Sequence, residues 1–207
     1  MLFTNYLLMP NTGNANKTNL KVRDVVFIDR DGVINEDVIG DYIKRWEDFH
    51  FIKGSREALQ KLTRAGFEIV IVSNQAGIGD GIYPESALKE ITQKMLDEFQ
   101  KDGVKIAGIY YCLHGKNENC ECRKPKTGLF ERAAKEICFN RSESYFVGDK
   151  KSDVEAGKKF GLRMLFVLTG HGTNDQKHLN SSEPPEQILP SLKEAVEYII
   201  ATRGKKQ

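Results

Sequence analysis

From residue 24 onward, short β-branched runs alternate with helical patterns five times, and no other feature narrows the fold as far. "DVVFID", "FEIVIVSN", "KIAGIYYC", "SYFVGD" and "RMLFVLTG" read as strands. Between them lie "SREALQKLTRAG", with Ser55 as expected N-cap and Gly66 just past the end, then "PESALKEITQKMLDEFQ", "GLFERAAKEIC" and "SDVEAGKKFG". Leu88, Ile91, Met95 and Phe99 fall on one helical face. Apolar strands that show no in–out alternation are buried on both sides, so the expectation is an α/β fold, a Rossmann-like three-layer sandwich around a central parallel sheet. Residues 171–187 are polar, with Pro184 and Pro185 as breakers, and a last helix is expected near 188–202. The division expected is a flexible N-terminal arm over 1–22 and one domain over 23–204.

Composition removes several classes of function. The 31 basic and 29 acidic residues leave a net charge of +2 spread along the chain, which is neither a nucleic-acid footprint nor a polybasic membrane anchor. "MLFTNYLLMP" has no basic leading segment, and no apolar run reaches the ~18 residues that a membrane span needs. Three of the four cysteines crowd into eleven residues and Cys138 stands apart, a distribution unlike a secreted disulfide framework. A cytoplasmic monomer acting on a small diffusible molecule is the expectation.

The chemistry-bearing residues should sit at the carboxyl ends of the strands. The first strand ends in "DRDG", where extended chain would turn Asp29 and Asp31 to one side and Arg30 away. Alone, such a pair is often only a strand-to-turn cap. Here the second strand ends in Ser73-Asn74-Gln75, the fourth in "GDKKSD" with Asp149 and Asp153, and "RKP" with Arg123 and Lys124 follows the third. Carboxylates converging on one spot repel unless a cation lies among them, and hard oxygen ligands with an open position suit Mg²⁺. Lys124 and the Ser73 hydroxyl could then balance a phosphoryl group while a carboxylate attacks phosphorus.

Cys112, His114, Cys120 and Cys122 make the pattern C-x-H-x5-C-x-C, a full tetrahedral set for a structural Zn²⁺ with no place left for water. Such a small zinc-stapled loop would fix the segment that presents Lys124 and Arg123. Cys138, within a helical pattern, reads as a core residue.

Taken together, "FIDRDGVIN", "VSNQAG", the lysine of "CRKP" and "FVGDKKSD" resemble, in order and spacing, the haloacid dehalogenase superfamily of phosphatases over residues 24–170. The resemblance implies Asp29 as nucleophile and Asp31 as general acid and base, with Ser73 and Lys124 completing the catalytic set. It implies Mg²⁺ on Asp29, Asp149 and the backbone carbonyl of Asp31, with Asp153 close behind them. Asn74, Gln75, Arg123 and Lys150 are expected to bind substrate. The zinc loop resembles that of the superfamily's heptose bisphosphate and histidinol-phosphate branches, so a small phosphorylated sugar is the implied substrate. A histidinol phosphate, a polynucleotide 3′-phosphate and a non-enzymatic zinc-stapled binding module are the alternatives. Little more than forty residues separate Asp31 from Ser73, too few for a large cap domain. One stretch departs from the branch: "SNQAGIGDG" puts Gly79-Asp80 where a small residue and an arginine are usual, which implies weaker recognition of a second phosphate if Asp80 lines the pocket.

Overall fold

The computed structural model describes residues 22–203; the arm expected over 1–22 lies outside them apart from Val22. Five strands fall where the apolar runs predict: β1 (Val25–Ile28), β2 (Glu68–Asn74), β3 (Ile106–Cys112), β4 (Tyr145–Gly148) and β5 (Arg163–Val167). A sixth, β6 (Gln187–Leu189), takes the place of the expected start of the last helix. Pro190 follows it, and Ser191 caps α7 (Leu192–Thr202) by accepting from Lys193 N at 3.2 Å. An edge strand of three residues, two of them exposed, is too short to leave an apolar signature.

All neighbouring strands run parallel, in the order β3-β2-β1-β4-β5-β6. Alternate side chains serve opposite faces. Val26, Ile28, Ile69, Ile71, Val147 and Leu165 pack under α1 (Ser55–Arg64), α3 (Glu85–Lys101) and α7. Val25, Phe27, Val70, Val72, Phe146 and Phe166 pack under α4 (Gly128–Glu136) and α5 (Lys151–Phe160). This is the three-layer sandwich, with apolar surface buried on both sides of every central strand.

Chain order reverses at β1, whose neighbours are β2 and β4, and a crevice opens beyond the carboxyl ends of β1 and β4. Among the described residues no cap domain covers it. Residues 32–54 fold as a compact flap instead, tied down by Ile52 N to Ile34 O (3.0 Å) and Glu36 N to His50 O (2.8 Å), with Trp46 stacked on Phe49. At α1 the N-cap is Gly54, at φ 85°, and not Ser55, which is the first helical residue with its hydroxyl buried and unbonded. The left-handed turn that ends the flap requires a residue without a Cβ, and that places the cap one position earlier. Among the described residues no helix is long and apolar enough to cross a membrane.

Candidate active site

Asp29 is the first residue beyond β1, its N–H bonded to Val147 O on β4 at 3.0 Å, and Asp149 is the first beyond β4. The sheet's reversal therefore brings the two carboxylates face to face. Asp153, on the first turn of α5, joins them, and all three offer oxygens within 4.8 Å of one another. It was expected one layer further out. Each is buried, at 3%, 0% and 0% exposure for Asp29, Asp149 and Asp153.

One ammonium group answers them from inside. Lys124 Nζ lies 2.7 Å from Asp153 Oδ1, 3.1 Å from Asp29 Oδ1 and 3.1 Å from Val72 O. Burial works against its charge, but Asp153 and Asp29 outweigh that and raise its pKa. Lys124, with Lys150 nearby but paired to Asp37, leaves the three carboxylates an excess of negative charge. Burial pushes the Asp149 carboxyl well above its ordinary range, with Lys150 opposing and Asp153 and Asp29 adding to the rise. Asp29 is raised in the same way, burial first. Asp149 Oδ2 accepts from His171 N at 2.7 Å, while its Oδ1 is buried without a hydrogen-bond partner. Two glycines at positive φ, Gly32 (86°) and Gly170 (56°), press on this carboxylate so closely that a Cβ on either would strike it. An acid-rich, tightly walled pocket with an unpartnered carboxylate oxygen is what a hard divalent cation fits.

Ser73, at the end of β2 and 2% exposed, accepts from Gln75 Nε2 at 3.0 Å. Asn74 spends its amide on Lys124, accepting from the backbone N–H (3.0 Å) and donating to the carbonyl (3.1 Å). Its amide thus clamps the lysine's backbone. Gln75 is 1% exposed and donates to Asp31 Oδ2 at 2.7 Å. Lys150 reaches Asp37 Oδ2 at 2.9 Å, and His171 Nε2 meets the same oxygen at 3.2 Å. Arg123 is half-buried, with Nη1 enclosed and unbonded among the described residues.

Asp31 differs most from its sequence-level picture. Arg30 is not turned away but folds back, 1% exposed, and grips Asp31 from Nε (3.0 Å) and Nη2 (2.8 and 2.9 Å). Alternation fails because β1 ends at Ile28 and the chain has already begun to turn. Burial would raise the Asp31 pKa, but Arg30, Asn35 and Lys150 together hold it below the ordinary carboxylate range.

At the end of β3 the four soft donors close up. Cys112 Sγ lies 3.7 Å from both His114 Nδ1 and Cys120 Sγ and 3.1 Å from Cys122 Sγ, and His114 Nδ1 is 3.2 Å from Cys122 Sγ. Zn–S bonds of ~2.3 Å give a tetrahedron with edges of about 3.8 Å, so the set is slightly contracted around a zinc-sized centre. Cys112 and Cys122 contend for one proton, which drives the first thiol up and the second down. The knuckle rests on the short helix α2 (Ala76–Gly79): a Cβ on Gly79 would strike Gly115 N, and Asp80 Oδ1 accepts from Lys116 N at 2.9 Å. Asp80 is exposed and holds the metal-type loop; nothing in its contacts sets it against a second phosphate.

A family profile described as HAD-hydrolase-like matches residues 121–195. A D-glycero-alpha-D-manno-heptose-1,7-bisphosphate 7-phosphatase of Photorhabdus laumondii is 38% identical over 175 residues, 81% of this chain and 90% of that protein. A D-glycero-beta-D-manno-heptose-1,7-bisphosphate 7-phosphatase of Pasteurella multocida is 41% identical over 180 residues, 83% of this chain and 97% of that one. Among solved structures, D,D-heptose 1,7-bisphosphate phosphatase from B. bronchiseptica, complexed with magnesium and phosphate, superposes with a TM-score of 0.80 at 27% identity, covering 86% of this chain and 98% of the other.

The carboxylate cluster predicts a pH-dependent response to metal. A carboxyl whose pKa is raised on folding holds its proton more tightly in the folded state, so it lowers stability as pH climbs above the ordinary value of about 3.9 and through the folded one. A bound cation removes that penalty. Saturating Mg²⁺ should therefore raise the melting temperature more at about pH 8 than at about pH 5.5, where protons compete for Asp149 and Asp29. A shift equal at both values, or larger in acid, in differential scanning fluorimetry would contradict this site.

Proposed function

The chain belongs to the haloacid dehalogenase-like phosphatases, in the family of the D-glycero-D-manno-heptose 1,7-bisphosphate 7-phosphatases, and from that premise we propose that its crevice removes the 7-phosphate of a heptose 1,7-bisphosphate through an aspartyl phosphate on Asp29. The observation that carries this reading is the meeting of Asp29, Lys124, Asp149 and Asp153 at the point where the sheet reverses. A single domain over 23–204 would bear the whole activity, as a cytoplasmic monomer. Unpaired cysteines, gathered as a metal-type set, support a reducing compartment.

Asp29 is held with Oδ1 bonded to Arg30 N at 2.8 Å and to Lys124, which orients the carboxylate toward the crevice. In the first half, an Asp29 oxygen forms a bond to phosphorus as the bond to the sugar oxygen breaks, and Asp31 gives its proton to that departing oxygen. Ionised in the free protein, Asp31 takes up this proton from solvent water as the substrate's negative charge enters beside it. In the second half, Asp31 removes a proton from water while the water oxygen bonds to phosphorus and the Asp29–phosphorus bond breaks. Lys124 balances charge on the phosphoryl oxygens, and Ser73, whose oxygen accepts from Gln75, keeps its own proton to donate. Mg²⁺, held by Asp29, Asp149, Asp153 and the carbonyl of Asp31, would supply the remaining positive charge and orient the phosphoryl group.

Arg123, half-buried and one residue from Lys124, is assigned the sugar end of the substrate. Zn²⁺ on Cys112, His114, Cys120 and Cys122 is assigned a purely structural part, holding Arg123 and Lys124 in place.

A panel of heptose bisphosphate, sugar monophosphates, histidinol phosphate and a 3′-phosphorylated oligonucleotide, assayed for phosphate release, tests the reading. Heptose bisphosphate should be turned over with the highest kcat/KM. Asp29→Asn should abolish release while preserving the fold, and Lys124→Met should chiefly lower kcat where Arg123→Met chiefly raises KM. A monophosphate or nucleic-acid preference, or an active Asp29→Asn protein, would contradict it. Elemental analysis should find one zinc per chain, lost along with stability in Cys120→Ser; zinc-free protein of full stability and activity would remove the structural site.

A further inference from the structure

Asp31 is gripped from below by side chains that the chemistry above leaves unused. Asn35 Nδ2 donates to its Oδ1 at 3.0 Å, Arg30 binds both oxygens, and Gln75 Nε2 reaches Oδ2 at 2.7 Å. The other end of the Gln75 amide is fixed as well: its Oε1 accepts from Tyr83 OH at 2.7 Å and from Arg30 Nη2 at 3.2 Å. Tyr83 is 5% exposed and leans on Gly77, where any Cβ would meet its ring. A phenol has one proton to give, and an amide offers donors at one end only. With Tyr83 and Arg30 donating to Oε1, the Nε2 end has to face Asp31 and Ser73.

We propose that Tyr83 and Gln75 form a positioning relay, in which the Tyr83 hydroxyl, beside Arg30, anchors the Gln75 amide and the amide sets the Asp31 carboxyl and the Ser73 hydroxyl at once. The inference rests on the reading of Asp31 as acid and base. Its content is that neither Tyr83 nor Gln75 touches substrate, yet both govern proton transfer to the departing oxygen and from the attacking water. Without the Tyr83 hydroxyl the amide oxygen keeps only Arg30 Nη2 at 3.2 Å, so the amide is held less firmly, and without the amide the Asp31 carboxyl loses its Oδ2 donor; in either case the carboxyl drifts off its line. Attack by Asp29 on phosphorus is not impaired by that drift where the leaving group needs no proton.

Leaving-group dependence separates this from a merely structural role. Full-length protein supplied with Mg²⁺, as Tyr83→Phe and as Gln75→Met, is compared with wild type and with Asp31→Asn on an alkyl phosphate and on an aryl phosphate of an acidic phenol, by rapid mixing. On the alkyl phosphate, Tyr83→Phe should lower kcat about 10-fold and Gln75→Met about 100-fold, with KM within about twofold of wild type. On the aryl phosphate, both should release a rapid burst of about one equivalent of phenol, followed by turnover slower than wild type, because formation of the phosphoryl-enzyme survives and its hydrolysis does not. Equal losses on both substrates without a burst, wild-type rates in both variants, or an effect confined to KM would overturn the relay. If Asp31→Asn shows leaving-group dependence and the Tyr83 and Gln75 variants do not, the relay alone fails. If Asp31→Asn shows none, the acid–base reading fails and the relay with it.

Discussion

Three buried carboxylates meet at the strand ends, two of them on one buried lysine, Lys124, and several local devices serve to bring that lysine in. Lys124 touches Asp29 and Asp153 directly, and removing one partner of a buried ion pair commonly costs 3–5 kcal/mol or about that, because the other charge is left stranded. Even with Lys124 and Lys150 near it the cluster keeps surplus negative charge, which adds to the burial that raises the pKa of Asp149 and Asp29. The same surplus makes the pocket receptive to a divalent cation and, through it, to a phosphate. Stability and function thus draw on one electrostatic imbalance.

Three separate devices deliver the lysine. Asn74 clamps its backbone from β2 with a reciprocal pair of bonds. The four soft donors between β3 and Arg123 tie up a stretch that would otherwise be long and polar. That knuckle is supported in turn by α2, where Gly79 allows backbone to meet backbone and Asp80 accepts from Lys116.

What could be read from the chain divides along physical lines. Strands buried on both faces leave uninterrupted apolar runs, so β1 to β5 and the sheet's parallel sense were legible, and so were the carboxylates, which must lie at strand ends to act. The edge strand β6 was not, since three residues with two exposed have no pattern to show. Arg30 was misplaced because period-two alternation holds only inside a strand, and β1 stops two residues before it. Gln75 and Asn74 were expected at the substrate because they adjoin Ser73; their amides are in fact consumed within the scaffold. Whether Asp80 lines the pocket is left open by the sequence; it is exposed and holds a backbone N–H of the knuckle. Polar side chains that position others leave no periodic trace, and only their hydrogen-bond partners reveal the role.

Asp29 as the group that carries the phosphoryl is the central claim, and trapping it is the most direct test. Asp31→Asn protein, given Mg²⁺ and an activated aryl phosphate and quenched in acid within the first turnover, should carry a phosphoryl adduct on the peptide containing Asp29, seen by mass spectrometry. The adduct should be absent when Asp29 is also replaced by asparagine. A phosphoryl group found on any other residue, or none on a protein that still releases phenol, would contradict the account.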